Sequence, residues 1–286
     1  MINQAYDPKM LSKIQQAMRL SLVEFDRICT ELQLRYVVYG GSAIGAVRHQ
    51  GLIPWDDDID ICMPRADYDR FFTEAPALLN EAFVVMDSRT NPDYPKTFGV
   101  LGLKGSRFIP GIAANRSFPI PLGIDLFPLD PIPSHPKQFA KQSRATWFWG
   151  RLLYLQGTPH AELSLPRPVK AIVSVATHVI HWGIKSTRIT PKALVRKWER
   201  AARQYENSGS TLFGDFSTRD PKRWSASLEE MFPAQRVPFD DITVMLPRDV
   251  DAILTRGYGD YMTIPPENER VNHAAALIDF GPYMTI

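Results

Sequence analysis

Four aspartates fall within five residues in Trp55-Asp56-Asp57-Asp58-Ile59-Asp60-Ile61-Cys62. On an extended strand, side chains two apart share a face. Asp58 and Asp60 then point together, with Asp56 on the same side if the strand starts early, and Ile59 and Ile61 face a core. Acids gathered this way repel one another unless a cation joins them. A hard divalent ion such as Mg²⁺ needs only one or two carboxylates when substrate phosphates supply the rest. The competing reading is an acidic turn on a solvated loop, and the apolar alternation argues against it. A second acid stands between large apolar residues in Gly123-Ile124-Asp125-Leu126-Phe127. Burying it is costly unless it is paired or metal-bound, and the alternative is an exposed strand-end acid. Asp130 reads as a turn residue.

Upstream, Tyr39-Gly40-Gly41-Ser42 follows a strand-like run and precedes a helix-like one. Such a turn can bring backbone N–H groups to a phosphate. It is not a P-loop, because no Gly-Lys-Ser/Thr follows. Arg48 and His49 come one to two turns later. The planar fork of Arg48 suits a phosphate, although a surface ion pair and a loop histidine account for the two equally well.

Elements must position these groups. Apolar residues at Met10, Leu11, Ile14, Met18, Leu22, Phe25, Ile28 and Cys29 predict a long helix over Lys9–Glu31. Arg35–Tyr39, Ile59–Met63, Phe83–Met86, Thr97–Leu103 and Gly123–Phe127 read as strands. Ser42–Arg48 reads as a short helix capped by Ser42, Asp67–Leu79 as a helix stalled near Pro76, and Pro247–Thr255 as another. The pattern predicts an α/β (α+β) fold with a mixed sheet flanked by helices.

Residues 137–203 differ in character, with 13 Lys and Arg against Glu162 and Glu199. Three parts are expected: a catalytic core over 1–136, a basic helical insertion over 137–204, and a C-terminal part over 205–286 that completes the site. The basic stretch suits an anionic glycan or membrane leaflet, and a solvated helical face is the plainer alternative. No nucleic-acid reader motif accompanies it.

The 286 residues carry 33 Lys and Arg, 31 Asp and Glu, and 24 Pro. Only Cys29 and Cys62 are present, which excludes a disulfide framework and a cysteine zinc site. The apolar run from Val169 to Ile184 falls short of the ~20 residues that span a bilayer. No signal-peptide pattern is visible, so a cytoplasmic protein is expected, with attachment to the inner membrane face left open.

The stretch YGGSAIGAVRHQGLIPWDDDIDICMPRADYDRF over residues 39–71 resembles the signature of the LicD family. That family holds bacterial phosphocholine transferases and is related to fukutin and fukutin-related protein. GIDLFPLD (123–130) resembles its second acidic strand, and YGDYMTIPPENER (258–270) followed by His273 resembles its C-terminal motif. The family is similar to nucleotidyltransferases of polymerase-β type, whose turn and acids fall here on Gly41, Ser42, Asp58, Asp60 and Asp125. Two departures are visible. The gap from Ser42 to Asp58 is long for the superfamily but suits the LicD subset. Gly41-Ser42-Ala43-Ile44-Gly45 stands where the family commonly has Gly-Thr-Leu-Leu-Gly.

The resemblance implies catalytic and metal-binding roles for Asp58, Asp60 and Asp125, with Mg²⁺ or Mn²⁺. It implies substrate contacts from Gly40, Gly41, Ser42, Arg48, His49, Trp55, Asp260 and His273. The implied reaction moves a phospho-alcohol group, phosphocholine foremost, from a CDP-linked donor to a hydroxyl of a cell-surface glycan or its lipid-linked precursor, releasing CMP. Trp55, Tyr39 and Tyr261 are the aromatic candidates for a quaternary ammonium. The alternatives are a nucleotidyltransferase that releases pyrophosphate and a non-catalytic binding module. The intact acid triad argues against the latter.

Overall fold

The computed structural model describes residues 6–111, 118–160, 166–270, 272 and 275–284. Helix α1 (Pro8–Glu31) starts where Asp7 accepts a hydrogen bond from the Lys9 amide at 2.7 Å, with Pro8 in the first turn. Its buried residues include Ile14, Ala17, Met18, Ser21, Leu22, Phe25, Ile28 and Cys29, which recur at helical spacing and pack over the sheet.

Strand β1 is only Val37–Val38, shorter than the expected Arg35–Tyr39. Arg35 turns outward to an ion pair with Asp67, and the Tyr39 amide bonds the Asp60 carbonyl just beyond the strand. Helix α2 (Gly40–Ile44) runs directly into a π-helical turn at Gly45–His49. The expected cap at Ser42 is not formed. The helix begins earlier, after Tyr39, and the Ser42 hydroxyl instead accepts the Asp60 amide at 2.9 Å.

Strand β2 (Asp60–Pro64) leads into α3 (Arg65–Glu74), which ends in a 3₁₀ turn at Ala75–Ala77, where Pro76 sits. Strands β3 (Phe83–Met86), β4 (Gly99–Leu103), β5 (Arg107–Pro110) and β6 (Gly123–Pro131) follow. Helices α4 (Pro136–Gly157), α5 (Arg167–Ser186) and α6 (Pro191–Ala202) occupy the basic stretch. The C-terminal part adds β7 (Leu212–Gly214), β8 (Ala226–Ser227), α7 (Leu228–Met231), β9 (Gln235–Phe239), β10 (Ile242–Leu246), α8 (Val250–Tyr258) and β11 (Ala275–Asp279).

The main sheet is mixed, in the order β1-β2-β6-β4-β3, with β2 and β6 parallel and the other pairs antiparallel. β7 extends the far end of β6 and pairs with β8. Ile59, Ile61, Leu101, Ile124 and Leu126 are all fully buried and meet Leu22, Phe25 and Ile28 of α1 in the principal core. Phe239, Val244 and Leu254 join that core, and β11 pairs with β5, so the C-terminal part packs on the first.

The basic segment is tied to the core by specific contacts. Trp198 is buried with Ile132, Ala202 and Phe216, and Gln142 donates to the carbonyls of Pro131 and Ala202 at 3.0 and 2.6 Å. Glu199 lies 3.7 Å from Arg65 and 3.3 Å from Arg89, both residues of the core. Asp130 is not the expected turn residue. It lies in β6, fully buried, and takes a two-pronged bond from Arg65 at 2.9 and 2.6 Å. Its neighbours on β7 and α3 close over what a short strand would have left open.

Among the described residues helix α5 buries only His181 and Ile184, and the His181 ring bonds the Leu155 carbonyl of α4 at 2.6 Å. Ile172, Val175, Val179 and Trp182 form an outward stripe, each 66–71 % exposed. Among the described residues no helix is long and apolar enough to cross a membrane.

Candidate active site

The parallel register of β2 and β6 pairs Asp60 with Asp125. Paired residues on adjacent strands stand ~5 Å apart and point to one face. The Asp125 amide bonds the Ile59 carbonyl at 2.9 Å and so fixes the register. The preceding segment continues the alternation before the strand begins. Asp57, Ile59 and Ile61 are buried, whereas Asp56, Asp58 and Asp60 are partly open. Asp57 is thereby separated from the other acids. It accepts the Tyr6 hydroxyl at 2.9 Å, and that oxygen in turn accepts the Ala275 amide.

The glycine turn abuts the acids. Gly40 has φ +55°, and a Cβ there would stand 3.4 Å from the Tyr258 hydroxyl and 3.6 Å from Asp60 Oδ2. A Cβ on Gly41 would stand 3.1 Å from Asp56 Oδ2. The two glycines keep a space open beside the carboxylates that any side chain would fill. Ser42 is buried, and its bond to the Asp60 amide locks α2 to β2.

Burial, then the charges of Asp58, Asp125 and Asp56, hold the Asp60 carboxyl well above the usual carboxylate range. Tyr258 is raised for the same reasons: burial first, then Asp60, Asp56 and Asp58. This is a site short of positive charge. A cation beside the acids is Lys96, whose Nζ donates to both Asp125 oxygens at 3.0 and 3.1 Å. Among the described residues, no three His, Cys, Asp or Glu side chains are gathered closely enough to hold a metal ion unaided. The oxygen-only donor set fits a hard cation that also takes substrate oxygens.

The remaining candidates are placed as follows. Arg48 Nη1 donates to the Tyr261 and Thr263 carbonyls at 2.7 and 3.2 Å, and its Nε bonds His49 Nε2 at 3.0 Å. It clamps the segment after α8. Burial, then the Arg48 charge, lowers the His49 pKa, and its ring meets Trp55 edge-on. Trp55 carries the Arg270 guanidinium 4.5 Å from its ring centre. Asp260 is exposed and bonds Thr263 through both its amide and its hydroxyl, which lowers its pKa. His273 lies outside the described residues.

Of the expected aromatics, Tyr261 is 8 % exposed and donates to Asp251, and the Tyr39 hydroxyl donates to the Trp224 carbonyl. Lys96 and Tyr258 are the site residues that sequence spacing did not single out. Tyr258 lay within the C-terminal motif, but nothing in a Tyr-Pro-Lys-Thr loop announces a contact with Asp125.

The mixed sheet thus sets a glycine turn after one strand beside acids in register on the next two. Residues 33–97 match the family model described as LicD/FKTN/FKRP, nucleotidyltransferase domain. Over that stretch the chain is similar to the LicD family, and the comparisons support a phosphotransferase of that type. It is similar to the lipopolysaccharide cholinephosphotransferase LicD of Haemophilus influenzae, with 24 % identity covering 93 % of this chain and 96 % of that one. An uncharacterized protein of Rickettsia prowazekii is 45 % identical over 40 residues, which cover 14 % of this chain and 15 % of its own.

Proposed function

We propose that the protein transfers a phospho-alcohol group, phosphocholine foremost, from a CDP-linked donor to a hydroxyl of a cell-surface glycan such as lipopolysaccharide, or of its lipid-linked precursor. The observation that carries this reading is the in-register pair Asp60 and Asp125 beside the open glycine turn. The likeness to a cholinephosphotransferase along nearly the whole chain supports the choice of group.

The donor diphosphate lies against Gly40 and Gly41, where side chains are absent. Asp58 and Asp60 would hold Mg²⁺ or Mn²⁺, with Asp125 completing the set, and the ion would neutralise charge on the phosphates. Asp125 accepts the proton of the acceptor hydroxyl as that oxygen attacks the distal phosphorus. The bond from that phosphorus to the CMP oxygen breaks, and CMP leaves with the electron pair. Lys96 holds both Asp125 oxygens and so sets the direction of that carboxylate. Tyr258, whose hydroxyl stands with Asp60 beside Gly40, offers an aromatic ring for a quaternary ammonium. Arg48, already bonded to two carbonyls, keeps the Tyr258–Thr263 stretch in place.

A lipid-linked acceptor would be met at a membrane surface. The outward stripe of α5, with Lys170 and Lys185 on the same helix, suits the interface of an anionic leaflet.

The test is CMP release from CDP-choline, CDP-ribitol and CDP-glycerol with Mg²⁺, using Asp58→Asn as the control. Release from at least one donor, reduced ~100-fold or more in the variant, is expected. Release from none, equal release by the variant, or pyrophosphate released from a nucleoside triphosphate instead sinks the reading.

A further inference from the structure

The sheet order sets the groups in a row. The glycine turn and Asp60 lie on one side of Asp125, because β2 flanks β6 there. On the other side β4 flanks β6, and Lys96, just ahead of β4, reaches Asp125. Beyond Lys96 a cavity of about 210 Å³ opens between Pro95–Phe98, the middle of α4 and Phe216–Arg219.

Three cations line this cavity, Lys96, Arg151 and Arg219, and no acid does. The Arg151 guanidinium lies 5.7 Å from the Trp147 ring centre, and neither Arg151 nor Arg219 forms an ion pair among the described residues. The hydroxyls of Thr146, Ser217 and Thr218 also line it but donate inward, to Gln142 and Asp215. The cavity can therefore recognise an anion chiefly through charge. Two exposed guanidiniums with no acidic partner among the described residues line one hollow, and their forks match phosphate oxygens. The volume is below the ~300 Å³ of a drug-sized site, which suits a phosphate with part of the sugar bearing it.

We infer that this cavity binds a phosphate group on the acceptor, so that the acceptor is a phosphorylated glycan. The inference rests on the proposed transfer reaction. In-line displacement needs the attacking and leaving oxygens on opposite sides of the phosphorus. With the donor diphosphate at the glycine turn, the acceptor enters from the Lys96 side, where this cavity lies. The attacking hydroxyl then reaches Asp125 while the phosphate on the same molecule sits between Arg151 and Arg219.

Binding of glucose 6-phosphate, glucose and CDP-choline is measured by titration calorimetry in EDTA, on the wild type and on Arg151→Ala/Arg219→Ala. Glucose 6-phosphate is expected to bind where glucose does not, and to weaken about ten-fold or more in the double variant. CDP-choline affinity is expected to stay within about two-fold. Both arginines are exposed, and an unchanged melting temperature shows the variant folded. No preference for glucose 6-phosphate over glucose, or unchanged glucose 6-phosphate binding by the variant, overturns the inference. A matching loss of CDP-choline binding overturns it too, by giving the cavity to the donor. If CMP is released but glucose 6-phosphate does not bind, the cavity assignment alone falls. If glucose 6-phosphate binds but no donor releases CMP, the transfer reaction falls, and the acceptor assignment with it.

Discussion

Asp125 and Asp130 lie five residues apart on one strand, and the odd spacing sends them to opposite faces. Asp125 opens toward the site, and Asp130 disappears against Arg65. Removing one partner of a buried pair strands the other charge. Asp130→Ala should cost about 3–5 kcal/mol of stability in urea unfolding, and loss of less than about 1 kcal/mol would show that water reaches Arg65. Asp215 behaves differently. It is buried, and desolvation raises its pKa to about 6, against hydrogen bonds from Ser217 that lower it. The folded state therefore binds more protons than the unfolded state between about pH 4 and pH 6, and stability falls as pH rises through that window. Asp215→Asn should flatten this dependence, which amounts to about 3 kcal/mol at most. Equal pH slopes for variant and wild type in urea unfolding would contradict it. Asp60 and Asp125 were legible because alternation with Ile and Leu reports a strand face. Lys96 was not, because its partner comes from a strand almost thirty residues away in a register that no local pattern encodes.

Elements with strong periodicity appear nearly where the spacing places them. α1 begins one residue early, and β3 matches at both ends. The divergences have local causes. Gly45 backs onto the Gly51 carbonyl, where a Cβ would stand 2.5 Å away, so the chain widens into a π turn instead of continuing α2. Strand β6 runs past Pro128, which sequence alone reads as a stop, since β7 pairs only with its last two residues. Helix α5 keeps an apolar stripe that no other described element covers. Replacing Ile172, Val175 and Val179 together with Glu should remove co-sedimentation with vesicles containing phosphatidylglycerol, while leaving the melting temperature within about 2 °C. Retained binding would reassign the stripe. Binding by the unaltered protein should also weaken as salt rises, because Lys170 and Lys185 act through a screened field.

Over the whole molecule, a formal net charge of +2 conceals two unlike parts. The stretch 137–203 carries an excess of eleven positive charges, which leaves nine negative for the rest. That partition was visible in composition. How the parts attach was not, because Trp198, Gln142 and Glu199 find partners in β6, β7 and α3 that lie far away in sequence. The cavity beside Lys96 was hidden for the same reason, since three separate stretches build its walls. β6 is the common member: it is bonded by β2 and β4 along one half and by β7 at its end. Its amides should therefore be among the last in the chain to take up deuterium, opening only with global unfolding, whereas the strand-free Trp55–Asp58 should exchange early. Peptide-resolved hydrogen exchange would show this as two separate time courses, and a single shared one would refute it. One carboxylate of the site would then ride on the slowest-opening strand of the protein, while the first of its partners rides on a segment outside the sheet.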